Sequence, residues 1–319
     1  MKRPLRILLK ILLYTVALIG VLIIGAVLFI FIRYPVVEPA STEKIELKPE
    51  RIERGAYLVN HVLYCMNCHG ERDWTIYSGP IAPGTAGKGA YVDDPVLPAW
   101  SGNLTSFALG DWSDGEIVRA ITSGIRNDGT ALHPLMPFDT YAKMSLQDVQ
   151  AVVAYLRTLP PVEFTPPERE IDSILDFLLV EIIGRTLPEP YTPPSHPDEY
   201  DEAAYGKYLV QIAECAVCHK SNFAGGTSFQ NPPGQKVLAK NITPSSTGIG
   251  PKSRENFIGV FKAFDNPESQ NIALTNGQEN TSMPWAQYAG ISEKDLGAIY
   301  AYLQTIKPVE TVLDSSQTQ

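Results

Sequence analysis

The chain has 319 residues and is 44% hydrophobic, a composition that excludes a disordered chain and leaves room for two domains. Its net charge of −9 hides an asymmetry. Residues 1–33 hold Lys2, Arg3, Arg6, Lys10 and Arg33 and no acid, so the remainder sets 21 basic against 35 acidic residues, a net of −14, which disfavours nucleic acid as a partner and suits basic docking proteins.

Residues 11–32, ILLYTVALIGVLIIGAVLFIFI, contain no charge. As a helix they span about 33 Å, enough for a bilayer core of about 30 Å. The run is longer than a signal-peptide core and no clear small-x-small cleavage site follows it, so an uncleaved anchor is expected. Basic residues concentrate before it, which predicts a cytoplasmic N-terminus and everything after Tyr34 on the far side, the periplasm in a bacterium. YPVVEPASTEKIELKPE then reads as an extended tether.

Next comes a pattern that occurs twice. GAYLVNHVLYCMNCHG is answered by GKYLVQIAECAVCHK, with Cys65 and Cys215 150 residues apart. NLT at 103–105 is answered by NIT at 241–243, and LMPF at 135–138 by SMPW at 282–285. SLQDVQAVVAYLRTLPPVE and SEKDLGAIYAYLQTIKPVE close the copies, with 19 residues from Met136 to Tyr155 and from Met283 to Tyr302. Each closing segment predicts a helix, capped by Ser145 or Ser292 with Asp148 or Asp295 three residues on as a capping box. SDGE, Ser113 to Glu116, starts another helix. Between the helices lie long Gly- and Pro-rich loops and no run of alternating strands, so each half is expected to be all-α. Between the copies, residues 160–200 carry Pro clusters at both ends and an apolar centre, 171–183, predicted to be a short helix that packs between the halves; a patch for the membrane surface or a partner subunit is the sharper alternative.

All four cysteines, Cys65, Cys68, Cys215 and Cys218, belong to Cys-x-x-Cys-His units. A structural zinc site needs four ligands, and each half lacks a second ligand pair. A redox dithiol of the thioredoxin kind needs a βαβ context and leaves His69 and His219 unexplained. Haem c attachment uses every residue. The two thiols lie one helical turn apart for the porphyrin vinyl groups, and the next residue offers its imidazole to the iron. Two covalently bound haem c groups are therefore expected, on Cys65, Cys68, Cys215 and Cys218, with His69 and His219 as proximal iron ligands. For the sixth position Met136 and Met283 share a register, 67 and 64 residues after their histidines and each before a proline. A thioether there raises the potential. Met66 lies inside the attachment loop and Met144 has no counterpart in the second copy. His61 or His133 is a rival to Met136; His196, in the linker, is expected to be solvated.

On these motifs, both halves resemble the class I cytochrome c fold, from GAYLV to AYLRTLPPV and from GKYLV to AYLQTIKPV. The NLT/MPF and NIT/SMPW stretches look like the cytochrome c subunits of membrane-bound periplasmic dehydrogenases and related dihaem cytochromes. The resemblance implies an all-α fold with an N-terminal transmembrane helix followed by two tandem class I domains. These are an anchor at 1–36, domains at 45–162 and 200–311, a Pro-rich linker with a short apolar helix at 163–199, and a tail at 312–319. It implies that the GAYLV helix crosses the AYL helix in each half, with Tyr57, Tyr155, Tyr208 and Tyr302 as core aromatics. It also implies a non-enzymatic electron carrier in the bacterial inner membrane. Its partners would be a membrane dehydrogenase, a quinol-oxidising complex, a terminal oxidase, or a small soluble cytochrome or cupredoxin, and no nucleic acid. The chain departs from the dehydrogenase subunits in carrying two motifs, where three are common, and in placing its anchor at the N-terminus. A dihaem peroxidase is an alternative that the shared methionine register disfavours. A thiosulfate dehydrogenase would need a spare cysteine.

Overall fold

The computed structural model describes residues 2–171, 173–231, 235–275 and 278–311; the expected tail at 312–319 and Asp172 of the linker lie outside the described residues. The molecule is mostly helical. Two short antiparallel hairpins, Tyr91–Val92 with Ala99–Trp100 and Ser228–Asn231 with Gln235–Leu238, are additions to the all-α expectation. The pairing segments are two to four residues long, too short to leave an alternating pattern.

Helix Lys2–Arg33 is apolar enough over Pro4–Arg33 to cross a membrane, and its 18-residue apolar window has no buried residue. The segment after it does not hang free. It runs along helix Asp114–Ser123: Arg119 donates to the Glu38 carbonyl (2.9 Å), Gly115 lets the Ser41 backbone come close, and the Ile45 amide donates to Asp114 (2.9 Å). The capping box expected at Ser113 and Glu116 is formed in full and starts this helix.

Each half is organised around one helix crossing. Pro49–Tyr57 crosses Leu146–Leu156, and Glu202–Ile212 crosses Glu293–Thr305. The crossings are close because both incoming helices place glycine at the contact. A Cβ on Gly55 would overlap the carbonyl oxygen of Ala151, and one on Gly206 that of Ala298. Leu58, Val59, Val62, Val149 and Val153 in one half, and Leu209, Ile212, Leu296 and Leu303 in the other, are fully or almost fully buried. Each contributes about 1.5–3 kcal/mol by burial. They form one continuous apolar cluster that runs through both halves.

The halves also exchange polar contacts about an approximate two-fold. Tyr57 donates to Asp295 (2.6 Å) and accepts from the Ser292 amide (3.2 Å). Tyr208 donates to Asp148 (2.7 Å) and accepts from the Ser145 amide (3.3 Å). The expected capping boxes of the two closing helices are thus half formed. Ser145 and Ser292 do accept from the amides of Asp148 and Asp295, but the carboxylates turn away, and a tyrosine from the other half takes the N-cap amide. Tyr208 is a core aromatic as expected and Tyr57 packs partly buried against the core, and both also bridge the halves. Asp148, fully buried, also holds Arg54 in a two-pronged pair (2.8 and 3.1 Å). Burial works against the Arg54 charge, but the hydrogen bonds and charge of Asp148 outweigh it and raise its pKa. His196, expected to be solvated, is instead tucked against Tyr205, Tyr208 and Asp148.

Candidate haem-binding sites

Both Cys-x-x-Cys-His units form a single helical turn, Cys65–His69 and Cys215–His219, directly after the helix that crosses the core. The first is launched by a π-helical turn at Leu58–Val62, closed by the Leu63 amide on the Leu58 carbonyl (2.7 Å). All four cysteines are free thiols of intermediate exposure. Burial pushes Cys65 and Cys215 up to about 12 and Cys68 up to about 11. Redox-active dithiols have the opposite shift. Among the described residues no three His, Cys, Asp or Glu side chains converge to hold a metal ion.

The two histidines are held alike. His69 Nδ1–H donates to the Gly102 carbonyl and His219 Nδ1–H to the Lys240 carbonyl, each at 2.7 Å. Burial lowers both pKa values, so each imidazole is neutral, with its proton on Nδ1 and its lone pair on Nε2. That is the tautomer a metal-binding histidine needs.

The accepting carbonyls are themselves fixed, and this explains NLT and NIT. Asn103 Oδ1 accepts from the amide and hydroxyl of Thr105 (2.9 and 2.7 Å), and Asn241 Oδ1 from those of Thr243 (2.8 Å each). The Asn103 amide reaches the Val162 and Phe164 carbonyls, and that of Asn241 the Val309 carbonyl. The amides of Val162 and Val309 return to the Thr105 and Thr243 hydroxyls (3.2 Å each). The loop that orients each histidine is thereby stitched to the chain just beyond the closing helix.

Two residues that sequence reasoning missed complete the pattern. The amides of Gly89 and Gly225 donate to the carbonyls of His69 and His219 (2.9 and 3.1 Å). Both glycines have positive φ, 93° and 70°, a conformation that costs other residues. The signal was a glycine after each histidine motif, but at unequal spacing, 20 and 6 residues, so no repeat comparison would align them.

Met136 and Met283 occupy matching turns. Each precedes a proline that caps a four-residue helix, Phe138–Tyr141 or Trp285–Tyr288, and each is partly buried against the core. The carbonyl of each accepts from the amide two residues on (2.9 Å). The Met283 turn has an additional support from the other half. Buried Ser78 donates its hydroxyl to the Met283 carbonyl (2.7 Å) and accepts from the Trp285 amide (2.8 Å). The Ser78 carbonyl is held in turn by Arg72 (2.6 Å), which stacks on Trp74 at 4.0 Å.

His61 shares the tautomer of His69 and His219, and His133 does not. His61 Nδ1–H donates to the Gln287 carbonyl of the other half (3.0 Å). His133 Nδ1 accepts from the Leu135 amide (3.3 Å), so its proton sits on Nε2, the reverse of the arrangement at His69 and His219.

Tyr64 and Glu214, which directly precede Cys65 and Cys215, each interact electrostatically with cysteines of both attachment turns, Tyr64 with Cys68 and Cys218 and Glu214 with all four. Each half offers two thiols on one turn and, next to them, a neutral imidazole with its lone pair on Nε2. This donor set fits a covalently held haem c.

Comparison with known proteins points to the same kind of protein. Residues 203–307, in the C-terminal half, match the family model described as cytochrome c. The chain is 26% identical over 282 residues to the cytochrome c subunit of the quinone-dependent alcohol dehydrogenase of Gluconacetobacter polyoxogenes, covering 81% of this chain and 56% of that protein. It is 27% identical over 277 residues to the fructose dehydrogenase cytochrome subunit of Gluconobacter japonicus, covering 80% and 52%. A diheme cytochrome c-type protein of Cereibacter sphaeroides is 22% identical over 263 residues, covering 77% and 83%. The chain thus spans about half the length of the dehydrogenase subunits it matches.

Proposed function

We propose that this chain is a membrane-anchored dihaem c-type cytochrome, with one class I domain on either side of the linker, that passes single electrons between a membrane dehydrogenase and a further redox partner. The observation that carries the reading is the matched pair of histidine locks, His69 on Gly102 and His219 on Lys240. Cys65 and Cys68 would hold one haem and Cys215 and Cys218 the other, with His69 and Met136, and His219 and Met283, as axial ligands. Each haem, when bound, supplies a one-electron Fe(III)/Fe(II) couple.

The chain's own groups do the rest. The Nδ1–H bonds hold the imidazoles in one tautomer and orientation and make them stronger donors. The thioethers of Met136 and Met283, as ligands, would favour the reduced iron and raise the potential. The protein thereby acts as a carrier and not as the catalytic subunit. Tyr64 and Glu214, each within electrostatic reach of cysteines of both turns, support relay from one haem to the other. The dehydrogenase partner is supported by the relatives, several of which are subunits of such enzymes. The acidic surface suits a basic docking face. Helix Lys2–Arg33 would span the inner membrane with the haem domains in the periplasm.

The test is a haem count and a redox titration of the purified full chain, followed by carbon monoxide addition to the reduced form. Two haem c per chain, both low-spin and inert to carbon monoxide, are expected. One haem per chain, or a haem that binds carbon monoxide, would overturn the paired His/Met assignment.

A further inference from the structure

The linker segment between the copies is helical over Ile174–Asp176 and continues as a π-helical stretch, Phe177–Gly184. Its apolar edge is not spent on packing between the halves. Ile174, Leu175 and Leu178 are 79%, 55% and 44% exposed, and Ile171, Ile183 and Leu187 are exposed beside them. The opposite edge is polar and internally neutralised. Arg169 pairs with Asp176 (2.7 Å) and Glu181 (2.8 Å), and Arg185 approaches Glu181 (3.7 Å).

The position of this helix says what covers the exposed edge. It touches the end of the anchor helix, where the Arg185 guanidinium lies 4.4 Å over the ring of Phe31, in the last turn of the apolar run. Phe31 marks the level at which a spanning helix leaves the acyl chains for the headgroups. On the other side, Gly184 packs on Pro134 of the first copy. The chain after the anchor is fastened to helix Asp114–Ser123 through Glu38 and Ile45, so the anchor exit is tied to the same body at a second place. An apolar strip backed by paired charges, next to the exit of a membrane span, has the layout of a helix that lies in the lipid–water interface.

We propose that the linker helix is a second membrane contact. Ile174, Leu175 and Leu178 enter the acyl-chain border of the leaflet at the C-terminal end of the anchor, and the Arg169–Asp176–Glu181 edge faces the headgroups and the protein. The contact sets the tilt of the haem-binding halves above the bilayer. The inference rests on the reading of Lys2–Arg33 as a membrane span and is independent of haem ligation.

The experiment places the photoreactive residue p-benzoylphenylalanine at one position at a time in the full chain. The protein is reconstituted into vesicles of phosphatidylcholine and phosphatidylglycerol, irradiated and examined by mass spectrometry for adducts. Val21, inside the anchor, is the lipid control, and exposed Asp111 the aqueous one. Phospholipid adducts at Leu175 and Leu178, at a yield within several-fold of Val21 and far above Asp111, are expected. Crosslinks at these positions to a second copy of the chain, or yields no higher than at Asp111, would overturn the proposal while the anchor stands. No lipid adduct at Val21 would remove the anchor reading and the proposal with it. Two adjacent positions are probed, so a local disturbance at one cannot imitate the result.

Discussion

Ser78 shows how much a single hydroxyl can be asked to hold. It belongs to the first half, yet it both donates to and accepts from the turn that carries Met283 in the second. Ser78→Ala removes both bonds, and each lost buried partner costs about 1–3 kcal/mol. The expected outcome is a looser Met283 turn; on the proposed dihaem reading, with Met283 as an iron ligand, this would show as carbon monoxide binding to one haem and a lowered potential of that haem alone, with Ser78→Thr restoring part of the effect. An unchanged pair of potentials would show that the turn is held without it. Glu214 gives a pH dependence. Burial, and next the negative Asp139, push its carboxyl up to about 7 from an ordinary 4.5. Between those two values the folded chain keeps a proton that the unfolded chain gives up. Stability from this group therefore falls as pH rises through the window and levels off above about 7. Thermal unfolding of the wild type should lose more stability from pH 5 to pH 7 than that of Glu214→Gln; parallel curves would contradict this.

Among the elements, the helix crossings are the most constrained. The contact at Gly206 is with backbone, which cannot rotate away, so Gly206→Ala must force two helices apart. A cost of about 1–3 kcal/mol is expected by denaturant titration, and more for valine. Gly259 is the comparison: it lies exposed in helix Arg254–Lys262 with nothing near its missing Cβ. Gly259→Ala should stabilise by roughly 0.8–1 kcal/mol. If both changes were neutral, close approach would not be what selects glycine at the crossing. The half-formed capping boxes carry a related lesson. The serine caps do what local sequence predicts, but their acidic partners leave the box to meet a tyrosine of the other half, as the Asp148 contact with Tyr208 shows.

For the whole molecule the question is whether the halves unfold together. One apolar cluster and two reciprocal Tyr–Asp contacts join them. Tyr57→Phe leaves Asp295 and the Ser292 amide short of a partner, and Tyr208→Phe does the same to Asp148 and Ser145. Each should cost about 1–3 kcal/mol. On the proposed dihaem reading, both haem signals should shift to lower denaturant together in either variant. Two separated transitions, with only one moved, would mean that the halves are energetically independent.

Composition, charge and motif spacing by themselves determined the membrane-length helix, the mostly helical character, the two Cys-x-x-Cys-His turns and the serine caps. These are local features: a charge-free run, a turn of i and i+3, or a hydroxyl before a helix has the same meaning in any surroundings. The repeat also marked Asn103 and Asn241, although what they do, fixing the carbonyls that orient His69 and His219, depends on partners about 60 residues away. Only the tertiary structure decided the rest. The exchange of Tyr57 and Tyr208 between halves, the hold of Ser78 on Met283, the enclosure of His196 and the seat of the linker helix beside Phe31 all join residues far apart in the chain. Periodicity shows which face of a helix is apolar. Which distant surface covers that face, and which distant polar group answers a buried one, is settled only when the whole chain has packed.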